Sequence, residues 1–514
     1  MTLRTMVALT LGLFAGSMTA QQRRVPFTNP ILFSDYSDPD VIRDGSHYYL
    51  VASTFSYVPG LPILESTDLV HWKIIAHAVN RLDMSPIYDF KDPDPKVGAN
   101  GYGKGIWAPA IRKHGGLFYI YFPTPTEGIY VTTAKKITGP WSEPVAVLQE
   151  PKLEDPCPFW DDDGQAYLIH SRTGAGPLIL HKMSPDGMTL LDDGKEILRD
   201  PVNLKTLEGP KLYKRNGWYY IFAPFGGVST GAQVVLRSRN IYGPYERKVV
   251  LAQGSTDING PHQGGWVETP EGDGWFMHFQ SRGAHGRIVR LEPVRWEDDW
   301  PVMGNNGEPV VAGDVLVKNV PPSAVKPQTS DEFHSAVLGQ QWEWNHNPVP
   351  GWSLSARPGF LRLKPLPATD LLTAYNTLTQ QMQDESFTFT TEASVSRMSD
   401  GVHAGLAMLE KSWSGLEVVQ DGGKRTLRYT STTNHVDGPE VRDATLQLRL
   451  EVSKDEVQYS YSMDGGAHFI VLGPKTKITF SWWKGSRPAL FAYTTGTDKG
   501  AGAVDFNWAH YLPK

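Results

Sequence analysis

Through the first three hundred residues, apolar and polar positions alternate in short runs, each opened by a glycine and rich in aromatic side chains. They read Gly45-Ser-His-Tyr-Tyr-Leu-Val, Gly116-Leu-Phe-Tyr-Ile-Tyr, Gly164-Gln-Ala-Tyr-Leu-Ile-His, Gly217-Trp-Tyr-Tyr-Ile-Phe and Gly274-Trp-Phe-Met-His-Phe. The glycines stand 71, 48, 53 and 57 residues apart, roughly the length of a four-stranded antiparallel blade with its loops. A partner run follows each one, as in Ile63-Leu-Glu-Ser, Ile129-Tyr-Val-Thr-Thr and Val234-Val-Leu-Arg. Turn-and-tryptophan punctuation closes several units, among them Asp68-Leu-Val-His-Trp72 and Gly139-Pro-Trp141. A helical period is nearly absent. Five such units, closed radially so that no long sheet edge stays open, predict an all-β fold: a five-bladed β-propeller over residues 25–320.

The texture then changes. Pro321-Pro322-Ser-Ala-Val-Lys-Pro327 reads as a linker, residues 321–328. Beyond it, runs such as Phe387-Thr-Phe-Thr-Thr and Leu446-Gln-Leu-Arg-Leu-Glu-Val alternate with a period of two between Gly, Asp and Asn turns. They predict one antiparallel β-sandwich over residues 329–514. At the other end, Arg4, the apolar run Met6–Phe14, small residues and Ala20 follow the order of a secretory signal, residues 1–20. The expected location is therefore secreted, in a bacterial periplasm or outside the cell.

Composition narrows the function. With 49 Lys plus Arg against 55 Asp plus Glu, the chain has no basic footprint for nucleic acid or an anionic membrane. No segment after the signal is long and apolar enough for a membrane anchor. One cysteine excludes an internal disulfide and any multi-Cys metal motif. Sixteen tryptophans and 21 tyrosines supply flat platforms suited to sugar rings, so a carbohydrate partner is expected; oligomeric state has no signal here.

The chemistry sits just upstream of the repeating glycines. Asp38 lies seven residues before Gly45; Trp107, Asp155 and Glu208 each lie nine before theirs; the His262-Gln263 pair ends eleven before Gly274. In a propeller the first strand of each blade is innermost, so equivalent slots converge at the axis. Asp38, Asp155 and Glu208 would meet there although they are remote in sequence. Glycoside hydrolysis asks for a carboxylic acid to protonate the leaving oxygen and a carboxylate to activate water or attack carbon. A third carboxylate raises the pKa of the acid by like charge and orients it.

These motifs carry a family resemblance. Asn29-Pro30-Ile31-Leu32 leading into Ser37-Asp38-Pro39-Asp40, then Gly105-Ile-Trp107-Ala-Pro109, Asp155-Pro156-Cys-Pro-Phe-Trp160 and Glu208-Gly209-Pro210, resemble glycoside hydrolase family 43. The second half is similar to the concanavalin-like sandwich of its β-xylosidase and α-L-arabinofuranosidase branch. The resemblance implies a five-bladed propeller and an inverting enzyme, with Asp38 as general base, Glu208 as general acid and Asp155 as the acid that tunes and orients. It further implies substrate contacts from Trp107 and Arg287, and from His262 or Gln263. Many members carry a Gly-His pair at the axis, often tied to calcium; here the stretch is Pro261-His262-Gln263-Gly264. The resemblance thus requires no cofactor and allows a structural calcium at the axis, while fixing no metal ligand.

The expected activity is exo-acting release of a terminal pentose, α-L-arabinofuranosyl or β-D-xylosyl, from hemicellulose-derived chains, with a lean to the arabinofuranoside. The alternatives are an endo-arabinanase, which needs an open groove, and a carbohydrate-binding propeller without catalysis. Weaker signals read as structure. Gly227-Val-Ser229-Thr-Gly231 resembles a nucleophile elbow but leads into a strand rather than a helix. Asp161-Asp162-Asp163-Gly164 reads as a turn, Asp92-Pro93-Asp94-Pro95 as a solvated loop, and Cys157 as packing. Trp342, Trp344 and Trp352 are assigned to the sandwich core rather than to the mouth of the site.

Overall fold

The structure, a computed structural model, describes residues 22–91, 99–174, 176–318, 325–496 and 502–514. The signal at 1–20, the loop at 92–95 and the first half of the linker, 321–324, lie outside the described residues. The chain is all-β, and four short 3-10 turns are the helical elements among the described residues.

Five four-stranded antiparallel sheets form the propeller, each ordered as it runs in sequence. Their first strands are Asp40–Asp44, Ala110–His114, Leu153–Trp160, Lys211–Arg215 and His262–Glu268. Around the hub the first strand of blade one packs on those of blades five and two, and that of blade three on those of blades two and four. The aromatic runs after the repeating glycines are the second strands, among them His47–Val51, Leu117–Thr124 and Trp218–Phe225. They are buried almost throughout, because a blade is covered on both faces by its neighbours. The ring is tied by Gln22–Thr28 pairing antiparallel with Ala312–Lys318. Val25, Phe27, Val315 and Val317 of that pair pack into one apolar cluster with Leu50 of the first blade and Met277 of the fifth.

The second half is a sandwich of two sheets. Thr445–Ser453 shows the period-two logic, with Leu446, Leu448, Leu450 and Val452 buried and the residues between them turned outward. Its larger sheet includes Val402–Leu409, Arg487–Thr494, Leu378–Thr379 and Glu343–Asn345. That sheet does not end within the sandwich. Tyr57–Val58, from the first blade, pairs antiparallel with Glu343–Asn345 as a further strand. The two halves therefore share a hydrogen-bonded ladder as well as a face.

Buried ion pairs reinforce the junction. Arg487 holds Glu343 at 2.5 Å with both side chains buried. Lys484 reaches across to Asp35 at 3.1 Å, again with both buried. Burial works to raise the Asp35 carboxyl, yet Lys484 and the amides of Arg287 and Gly485 outweigh it and hold it below the usual carboxylate range. Gly286 (φ 79°) makes this approach possible, since a Cβ there would fall 2.2 Å from Asp35 Cγ.

Removing one partner of such a pair leaves an uncompensated buried charge, at about 3–5 kcal/mol. Lys484→Met is expected to lower the melting temperature by several degrees, and adding Asp35→Asn to recover part of that loss. A double variant no more stable than Lys484→Met alone, by thermal melting, would contradict a direct pairing.

Candidate active site

A local backbone device repeats at the hub. Asp38 (φ 53°), Asp155 (φ 58°), Gly209 (φ 59°) and Gln263 (φ 24°) occupy the left-handed region where the inner strands of blades one, three, four and five begin or bulge. A non-glycine residue there is uncommon and costs about 1–2 kcal/mol. The ladder register breaks at two of these points, Glu154 to Cys157 and His262 to Gly264, and a bulge re-aims the side chains beside it. Gly209 has no room for a side chain, because a Cβ would meet Gln263 Cγ at 2.7 Å. The residue just before each left-handed position is Ser37, Glu154, Glu208 or His262. Trp107 fills this preceding slot in the second blade: its amide bonds the Pro123 carbonyl as the Glu208 amide bonds Pro224.

These side chains line one cavity of about 540 Å³, which receives Asp38, Trp107, Asp155, Glu208, His262, Gln263 and Arg287 together. The structure thus brings all seven sequence-predicted residues to one place. Asp38 accepts from Ser53 Oγ at 2.6 Å and from Arg287 Nη1 at 2.6 Å. Asp155 accepts from Ser171 Oγ at 2.8 Å, the Gly209 amide at 2.8 Å and Gln263 Nε2 at 2.9 Å. Glu208, the most open of the three, holds His262 Nε2 at 2.6 Å. Arg287, His262 and Gln263 therefore each grip a carboxylate. Each also keeps one buried polar atom without a partner among the described residues: Arg287 Nε, His262 Nδ1 and Gln263 Oε1.

The carboxyls that the site lifts are Asp155 and Glu154. Burial, helped by the nearby charge of Glu208, raises Asp155 to about 6. Burial, then the charges of Asp155, Glu208 and Asp38, pushes Glu154 up to about 10.

Besides Glu154, three participants escaped the sequence reading. Ser53 and Ser171, which orient two of the acids, lie at or just past the ends of the second strands of their blades; they stand eight and seven residues after Gly45 and Gly164, nearly the same place in the repeat. The third is Trp483. It comes from the sandwich, in the turn Ser481–Lys484, where Trp482 (φ 53°) and Trp483 (φ 66°) are both left-handed. Trp482 stacks on Tyr102 at 3.9 Å, and Trp483 stands edge-on to Trp107 at 6.5 Å within the cavity wall. Trp342 and Trp344 are core, as expected; Trp352 is not, because it lies at the sheet margin with 36% of its surface exposed.

The remaining signals resolve as structure. Ser229 leads into the strand Ala232–Ser238. Asp161 is bound by Lys214 and Tyr219. Cys157 is buried against the Leu212 amide. At the axis His262 Nδ1 is a free donor among the described residues. Among the described residues the compact acidic group is Glu154, Asp155 and Glu208 on the cavity floor. No step below passes through a metal ion.

A propeller hub carrying three remote carboxylates, each fixed by its own donors, is the architecture of a glycoside hydrolase. Residues 27–301 match the glycosyl hydrolases family 43 model, and residues 330–512 match the β-xylosidase C-terminal concanavalin A-like domain. The chain belongs to glycosyl hydrolase family 43. It is 43% identical to a putative β-xylosidase of Xylanibacter ruminicola, over 88% of this chain and 84% of that one. It is 29% identical to the non-reducing end α-L-arabinofuranosidase BoGH43B of Bacteroides ovatus, over 98% and 97%. Among solved structures it is similar to the bifunctional GH43-CE of Bacteroides eggerthii, with a TM-score of 0.84 and 31% identity; the match covers 96% of this chain and 64% of that longer one.

Proposed function

We propose that this enzyme is an exported, exo-acting, inverting pentosidase that removes terminal β-D-xylosyl and α-L-arabinofuranosyl residues from hemicellulose-derived chains. The observation that carries the reading is the pairing of the three-carboxylate cluster with a cavity wall supplied by Trp483 of the sandwich. A wall of that kind suits a chain end and obstructs the open groove an endo-arabinanase needs. The names of the similar proteins support both pentosides, with the xyloside first because the 43%-identical relative is named a putative β-xylosidase and a 35%-identical one a β-xylosidase. Export rests on the order of residues in 1–20.

In this mechanism Glu208 gives its proton to the glycosidic oxygen, and His262 fixes the carboxyl that does so. Asp38, held by Ser53 and Arg287, takes a proton from the water that attacks the opposite face. Asp155 orients the Glu208 turn through the Gly209 amide. Inversion sets the two working carboxyls about 6.5–9.5 Å apart so that water fits between them.

The test is parallel kinetics on the 4-nitrophenyl β-D-xyloside and α-L-arabinofuranoside, with the first-formed sugar followed by proton NMR. Hydrolysis of at least one, releasing a sugar of inverted anomeric configuration, is expected. No turnover of either would sink the pentosidase reading, and a retained anomer would remove Asp38 from the base role.

A further inference from the structure

The reaction above leaves one carboxyl unused. Glu154 occupies in the third blade the slot that Glu208 occupies in the fourth, immediately before the left-handed residue, so it is the counterpart of Glu208 one blade round the ring. It lines the cavity, is only 6% exposed, and its Oε1 is buried without a hydrogen-bond partner among the described residues. One oxygen each from Glu154, Asp155 and Glu208 lie within 4.8 Å of one another. At separations up to that limit a single hydroxyl oxygen seated among the three reaches all of them at hydrogen-bonding distance. An unpaired buried oxygen is costly, and at a ligand cavity its natural partner is the ligand.

We propose that Glu154, as a neutral carboxylic acid, is a substrate-positioning residue that donates a hydrogen bond to a ring hydroxyl of the terminal pentose. The hydroxyl in turn directs its own proton toward Asp155. This assignment rests on the pentosidase reading and adds a residue to it. The protonated form follows from the surroundings: buried among Asp155, Glu208 and Asp38, Glu154 keeps its proton up to about pH 10. A carboxylate would put a further negative charge beside those of Asp155 and Asp38 and would have no proton to offer the sugar.

The test uses the full chain and whichever nitrophenyl pentoside it cleaves. A hydrogen bond made equally in ground and transition states shows in KM rather than kcat. Glu154→Met is therefore expected to raise KM at least tenfold with kcat changed by less than about threefold. Glu154→Gln, which keeps a donor of the same reach without charge, should recover most of that loss.

A second readout does not depend on turnover. The unfolded chain sheds the Glu154 proton above about pH 4.5 while the fold retains it to about pH 10, so the wild type loses stability as pH climbs through that window and a Gln variant does not. The melting temperature of Glu154→Gln should exceed that of the wild type by a margin that widens from pH 4 to pH 8. Unchanged KM in Glu154→Met, a Gln variant as impaired as the Met variant, or a margin flat with pH would each overturn the proposal. Wild-type inactivity on both pentosides is a different failure, that of the pentosidase reading itself.

Discussion

Replacing Glu208 by alanine is expected to cut hydrolysis of xylo-oligosaccharides by about 10²–10⁴-fold, the usual contribution of a positioned general acid. A sugar alkoxide is a poor leaving group and departs only as it is protonated. A nitrophenolate departs nearly unaided, so the same variant should lose far less on an activated aryl pentoside. The split between the two substrates is the informative quantity. The side chain sits at the cavity wall rather than in the packed core, with His262 as its hydrogen-bond partner, so the fold is expected to survive the change. Equal losses on both substrates would assign Glu208 to binding rather than to proton transfer.

The second large effect belongs to Asp38, and its pattern is the opposite. Water must be activated whatever group leaves, so Asp38→Asn should lose about 10²–10⁴-fold on natural and activated substrates alike. Asparagine is the right replacement because it tolerates the left-handed φ of 53° better than alanine does. It also keeps an oxygen for Ser53 or Arg287, so a loss of rate reports the missing base rather than a collapsed turn. A variant that kept activity on the aryl pentoside but not on the oligosaccharide would place Asp38 on the leaving-group side and reverse the assignment.

The propeller was legible because it repeats. Aromatic second strands after a turn glycine, at intervals near one blade length, leave a signal that no single strand would give. The acids were legible for the same reason, since Asp38, Asp155 and Glu208 stand in the same slot of different units. The structure refines that register: the left-handed position is shared by Asp38, Asp155 and Gly209, with Glu208 one residue earlier, level with Glu154. Glu154 was visible in the motif only as the neighbour of Asp155; nothing in the alternation tells whether a residue beside a bulge turns inward.

What the sequence withheld is non-local. The pairing of Tyr57–Val58 with Glu343–Asn345 involves two or three residues on each side, too few to create a period, and joins segments nearly three hundred positions apart. Trp483 stands in a tight turn whose aromatic pair reads as surface until the turn is placed against Trp107 and Tyr102. Arg287, His262 and Gln263 were recognised as site residues, but residue type alone could not distinguish a group that meets the sugar from one that steadies an acid.

The ladder between Tyr57–Val58 and Glu343–Asn345 bears on how this enzyme can be re-engineered. A chimera spliced at the proline-rich connection would deliver a foreign sandwich with its own turn and indole, but would seat it on a docking strand and an Asp35 anchor shaped for another partner. Altering selectivity by exchanging halves should therefore misplace the pocket wall, whereas point changes at Trp483 would leave the docking strand and the Lys484–Asp35 anchor in place.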